Sequence, residues 1–202
     1  MKKRVIIPLA ILIGFILSLP LTYVLIQNKA KNRGVVVNEW RVSFRTGNFG
    51  NNFLLRAAIA LASLGNAVPE EAMFFHGYFD AEGDELDGEE SYSLTFENEE
   101  LPPVDAFWSV TVYDAASGFL THNELDRYTL GDRSESLVYN SDGSLTILFS
   151  HDAPSEQMLG NWVPVPDKAF SVTLRCYLPK AELLNLSWKP PGIQRDQSTE
   201  GR

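Results

Sequence analysis

The sequence predicts a mainly β protein: an antiparallel, jelly-roll-like β-sandwich with one packed helix, preceded by a single N-terminal transmembrane helix. Short runs of alternating apolar and polar residues recur along the chain, separated by Gly, Pro, Asn and Asp turns. No alternation of strands with helices suggests a parallel sheet. A charge-free apolar stretch near the N-terminus is long enough for a bilayer. Of the 202 residues, 45% hydrophobic, roughly 165 remain once that stretch is set aside, enough for about one domain. The organisation read from these signals is a cytoplasmic tail over 1–4, a transmembrane helix over 5–26, a linker over 27–34, the sandwich domain over 35–195 and a flexible tail over 196–202.

The apolar stretch from Val5 to Ile26 has Lys2, Lys3 and Arg4 before it and Lys29, Lys31 and Arg33 after it. As a helix it spans roughly 33 Å, against a hydrocarbon core of about 30 Å. A cleaved signal peptide would have a shorter apolar part ending in small residues, and Ser18-Leu19-Pro20-Leu21 supplies no such site. The stretch is therefore expected to stay as an anchor in the inner (cell) membrane, crossing once, with lipid as its partner. The two flanks are balanced in basic residues, so orientation rests on the free amino terminus, which favours an exported, periplasmic or extracytoplasmic domain.

The opening strand is read at Val35 to Arg45, where Trp40, Val42 and Phe44 alternate with polar neighbours. Asn51 or Asn52 is placed to cap a helix running to Leu64, with Gly65 beyond it; apolar on most faces, this helix is expected to pack under a sheet. Met73 to Phe79 and Tyr92 to Phe96 read as strands on either side of a turn-rich acidic loop, Asp80 to Glu90. That loop is taken as solvated, with weak Ca²⁺ binding through Asp80, Glu82, Asp84 and Asp87 as the alternative. The densest apolar stretch, Leu101 to Phe119, reads as a central strand behind two prolines that must precede the ladder. Leu137 to Tyr139 and Ser144 to Ser150 are paired as a hairpin through Asn140-Ser-Asp-Gly143. In the last strand, Phe170 to Leu178, Phe170, Val172, Leu174 and Cys176 share one face, which makes Cys176 a small core residue without a disulfide partner.

Six segments occur in order: the run from Leu101 to Asp114, Arg127-Tyr-Thr-Leu-Gly-Asp-Arg133, Asp142-Gly-Ser-Leu145, Asn161-Trp-Val-Pro-Val-Pro166, Arg175-Cys-Tyr-Leu-Pro-Lys180 and Trp188-Lys-Pro-Pro191. Together they resemble the family known as domain of unknown function 1214, over roughly Trp40 to Arg195. The resemblance implies a jelly-roll-like sandwich. In larger relatives it follows another domain of unknown function, numbered 1254, whose place a membrane helix takes here, as in short anchored members. No activity is implied.

The formal net charge is −9. Between Arg56 and Arg127 there is no Lys or Arg, while 16 acidic residues accumulate, so nucleic acid is not an expected partner. His76, His122 and His151 form no metal-ligand pattern, no G-x-S-x-G occurs, and Cys176 lies on an apolar strand face. No catalytic residue, metal or cofactor is assigned. The ligand-binding candidates are Arg127, Asp132, Arg133, Asn161 and Trp162, planar donors and an aromatic face in loop-like segments, suited to a carboxylate or sugar. The competing reading of the same residues is an internal salt bridge between Asp132 and an arginine that pins a long connection, while Trp162 covers the core edge. Binding of an envelope glycan or a protein partner is the expected function, with Arg133 and Trp162 lining one cleft. A hydrolase or lyase using His151, Asp132 and Arg133 on a small polar or anionic substrate is the alternative.

Overall fold

The computed structural model describes residues 3–31, 34–62 and 67–196. They fall into two compact units, residues 3–31 with 45–62, and residues 34–44 with 67–196.

The first unit is helical. Helix α1, Lys3–Lys31, contains Pro8 and Pro20, and its stretch Ile6–Ala30, with mean hydropathy 2.5, is long and apolar enough to cross a membrane. It runs further than the composition suggested, which leaves Pro20 well inside the helix, where it removes a backbone donor. Two residues before it, the Ser18 hydroxyl donates to the Phe15 carbonyl at 2.7 Å. Helix α2, Phe53–Ala62, is capped by Asn52, whose Oδ1 accepts the Leu55 N–H at 3.0 Å. The expected end at Leu64 and Gly65 lies outside the described residues. The helix is packed, as its apolar composition requires, but the element it lies against is α1, in place of the sheet underside that was expected.

The second unit is the sandwich, built from β1 (Val35–Val37), β2 (Trp40–Val42), β3 (Ala72–Gly77), β4 (Tyr92–Phe96), β5 (Val104–Asp114), β6 (Thr129–Gly131), β7 (Leu145–Ser150), β8 (Trp162–Pro164), β9 (Phe170–Pro179) and β10 (Gln194–Arg195), with a short helix α3 (Ala181–Leu184). One sheet has the order β1-β2-β3-β9-β5-β6 and the other β10-β4-β7-β8. All pairs are antiparallel except β7 with β8, which run parallel. Alternation sorts the side chains as period 2 demands. Trp40, Phe75, Trp108, Val110, Leu174 and Cys176 from the larger sheet meet Leu94, Phe96, Ile147, Phe149 and Val163 from the smaller one in a single core.

Two sequence expectations give way. The run Val35 to Arg45 is no single strand: β1 and β2 form a hairpin through Asn38 and Glu39, with φ of 47° and 65°. Two consecutive left-handed residues make the tight turn whose twist suits a hairpin. The Asn38 amide holds it to the Pro190 carbonyl at 2.9 Å, and the Trp40 indole N–H donates to Pro191 at 2.7 Å. Residues 137–139 are likewise not a strand. A side chain holds them instead: Asn161 Oδ1 accepts the Val138 N–H at 2.8 Å, while its amide donates to the carbonyls of Val138 at 2.7 Å and Thr146 at 2.8 Å.

Candidate functional site

The face of the larger sheet turned away from the core carries a patterned set of side chains. Opposite Leu174 and Cys176 on β9 point Thr173, Arg175 and Tyr177; opposite Trp108 and Val110 on β5 point Phe107, Ser109, Thr111 and Tyr113. Register brings them into rows: Phe107 pairs with Tyr177, Ser109 with Arg175 and Thr111 with Thr173, while Phe74 on β3 pairs with Arg175. Phe107 and Tyr177 stack at 4.3 Å between ring centroids, and Phe74 meets Tyr177 edge-on at 6.3 Å.

Two arginines are held against these rings. The Arg133 guanidinium lies 4.1 Å over the Phe107 ring. Arg175 lies 5.4 Å from the Tyr113 ring and 6.0 Å from Phe74. It donates from Nη1 to the Thr111 hydroxyl at 2.7 Å and from Nη2 to the Tyr113 hydroxyl. Thr111 passes the chain on to Thr129 at 3.0 Å, and Thr129 to the Val110 carbonyl at 2.7 Å. Among the described residues neither arginine has a carboxylate within ion-pair distance. The relay fixes the plane of Arg175 and the ring beneath Arg133 orients its fork, yet neither charge is neutralised. Such pre-organised guanidinium groups suit planar, two-point recognition of an oxyanion.

Of the residues expected to bind ligand, only Arg133 belongs to this face. Arg127 donates to the Leu159 carbonyl and to Trp162 O at 3.1 Å. Among the described residues Asp132 pairs with no arginine: its Oδ1 accepts the Trp108 N–H at 3.2 Å, continuing the contact with β5 just past the end of β6. Gly131 beside it allows that approach, since a Cβ there would sit 2.2 Å from the Trp108 carbonyl oxygen. Asn161 is buried in its backbone bridge, and Trp162, also buried, donates its indole N–H to Ser150 O at 3.0 Å. Arg133 and Trp162 have no partner in common among the described contacts. The Arg127–Arg133 and Asn161-Trp162 segments are thus largely a joint between the two sheets.

His151 is exposed and its Nδ1 lies 3.3 Å from the Val165 carbonyl; among the described residues it makes no contact with Asp132 or Arg133. In the acidic loop, Asp80 Oδ1 accepts the N–H groups of Glu82 at 3.0 Å and Asp84 at 2.9 Å, a loop-folding role. No three His, Cys, Asp or Glu side chains among the described residues are grouped to hold a metal, which leaves the Ca²⁺ alternative without a cage. An open cleft of about 450 Å³ lies between Asn38, Glu39, Ala81, Gly192 and Gln194; it presents one carboxylate and no cation, and its Asn38 amide is engaged with Pro190. Cys176 is fully buried, and burial pushes its thiol pKa far up, which makes it a poor nucleophile.

The family described as Protein of unknown function (DUF1214) matches residues 71–181, more than half of the chain. The protein belongs to this family. The DUF1214 match takes in β3 through β9 and with them both arginines and their rings. The crystal structure of the VPA0106 protein from Vibrio parahaemolyticus is similar, with TM-score 0.63 and 25% identity, covering 85% of this chain and 42% of that one. The chain thus spans less than half the length of that relative. An uncharacterized protein from Burkholderia cenocepacia matches with TM-score 0.46 and 15% identity, covering 79% of this chain and 34% of that one. No curated protein matches the chain.

Proposed function

We propose that this DUF1214 protein is a membrane-anchored binding module, held in the inner membrane by α1 with its sandwich exported, and that the outward face of the larger sheet binds a glycan-like ligand bearing carboxylates. The observation that carries the reading is the pair Arg133 and Arg175, oriented by rings and hydroxyls without an acidic partner. In a chain of net charge −9, a densely charged polyanion is repelled at long range. A sparsely charged, hydroxylated chain is not, and Ser109, paired with Arg175 across the sheet, lies beside that arginine to meet the ligand's hydroxyls. The catalytic alternative has less support: among the described residues His151 makes no contact with Asp132 or Arg133, whereas general acid–base chemistry needs groups within about 3 Å of one substrate atom.

The full chain in lipid nanodiscs, titrated by calorimetry with uronic-acid oligosaccharides and with neutral oligosaccharides of equal length, tests this. The acidic series is expected to bind. Arg175→Lys keeps the charge but loses the planar fork, and is expected to weaken binding about tenfold or more, the scale of a lost charge-assisted hydrogen bond. Equal binding of both series, or no change in Arg175→Lys, overturns the assignment.

A further inference from the structure

Helix α2 is apolar on two opposite sides, and only one of them is covered. Leu55, Ala58 and Ile59, spaced as one helical face, are buried. Phe53, Leu54 and Leu61 form the opposite face with Ala57 and Ala60 and stay open, at 72%, 43% and 50% exposure for the three large side chains. The charged residue of the helix, Arg56, sits at the border of that open face. Ten residues are too few to span a bilayer.

Where α2 meets α1 decides what covers the open face. From Ile6 to Leu25 the side chains of α1 are exposed; exposure falls over Ile26, Gln27 and Lys29 and vanishes at Ala30. The helix contact therefore lies at the C-terminal end of the apolar span, the level at which hydrocarbon gives way to headgroups. An apolar face in water at that level would be costly, at about 25 cal/mol for each Å², whereas the same face turned to lipid is not.

We infer that α2 is an interfacial helix, lying in the headgroup boundary beside the end of α1, with Phe53, Leu54 and Leu61 in the acyl region and Arg56 reaching to the phosphates. The placement is that of helices lying in the plane of a membrane, with protein rather than water covering the side turned away from lipid. It gives the protein a second contact with the bilayer and rests on the reading of α1 as the anchor.

The test uses the full chain in phosphatidylcholine and phosphatidylglycerol vesicles, with an environment-sensitive dye on a single introduced cysteine; buried Cys176 is expected not to react. Leu54→Cys and Leu61→Cys report on α2, Leu12→Cys on α1 and Ser141→Cys on the sandwich. Nitroxide lipids with the spin label near the headgroup are expected to quench the dye at 54 and 61, and lipids labelled deep in the chain the dye at 12. The dye at 141 is expected to stay unquenched. Quenching at 12 with water-exposed dyes at 54 and 61 overturns the interfacial helix and leaves the anchor intact. Loss of quenching at all three helical sites overturns the anchor as well. Dyes at 54 and 61 shielded from water yet unquenched by lipid would show a protein partner on this face and equally refute the inference.

Discussion

Asp114 shows how one side chain at the end of a strand sets a response to acid. Its Oδ1 accepts the Ser117 N–H at 2.6 Å and its Oδ2 meets Lys168 Nζ at 2.5 Å. The ammonium of Lys168, and after it the hydroxyl and N–H of Ser117, hold the carboxyl well below the usual range. A depressed folded pKa contributes stability that is complete above the unfolded value of about 3.9 and drains away as pH falls toward the folded value. Urea unfolding of the full chain in detergent should therefore show Asp114→Asn less stable at pH 6, with the gap to the native sequence closing toward pH 2. A gap of equal size at both pH values would contradict this. At the same scale lies the reason the candidate site was only partly legible. Sequence shows that Arg127, Asn161 and Trp162 carry donors, but not that the carbonyls of Leu159, Thr146 and Ser150 already accept them. Arg175 was readable as facing away from the core, since Cys176 beside it faces inward; that no described carboxylate pairs with it depends on strands distant in sequence.

Among the elements, the strands with strict alternation were legible from their residues. β4 and β9 keep the faces that Tyr92, Leu94 and Phe96, and Val172, Leu174 and Cys176, prescribe. The β1–β2 hairpin was not, because the alternation from Glu39 to Arg45 runs straight on from the Val35-Val36-Val37 triplet and the turn lacks the glycine that announces such hairpins. Its second turn residue, Glu39, adopts a φ of 65°, a region that costs a residue with a Cβ about 1–2 kcal/mol. Glu39→Gly should raise stability by about 1 kcal/mol, since glycine adopts that conformation freely, and Glu39→Ala should not. A drop in the urea midpoint for Glu39→Gly would mean that the Glu39 side chain makes a contact worth more than the turn strain. Helix α2 was legible in its cap and its composition but not in its partner, because an all-round apolar helix fits a protein core and a membrane boundary equally well.

For the whole molecule, charge and apolar content were read correctly in broad outline: an apolar N-terminal helix, then an acidic, β-rich domain. The order of strands in the larger sheet was beyond reach, and it has a kinetic meaning. β9 lies between β3 and β5, so the two halves of that sheet, made first, have nothing to join them until residues 170–179 exist. A ribosome moving along the message thus releases most of the domain before its middle is available, and pairings this distant in sequence form slowly. A chain ending before Phe170 should show no cooperative unfolding transition and should be digested rapidly by protease, while one ending after Arg195 should resist. The late central strand keeps the nascent domain pliable through nearly all of its synthesis, the condition under which a polypeptide can still be threaded through a narrow translocation channel.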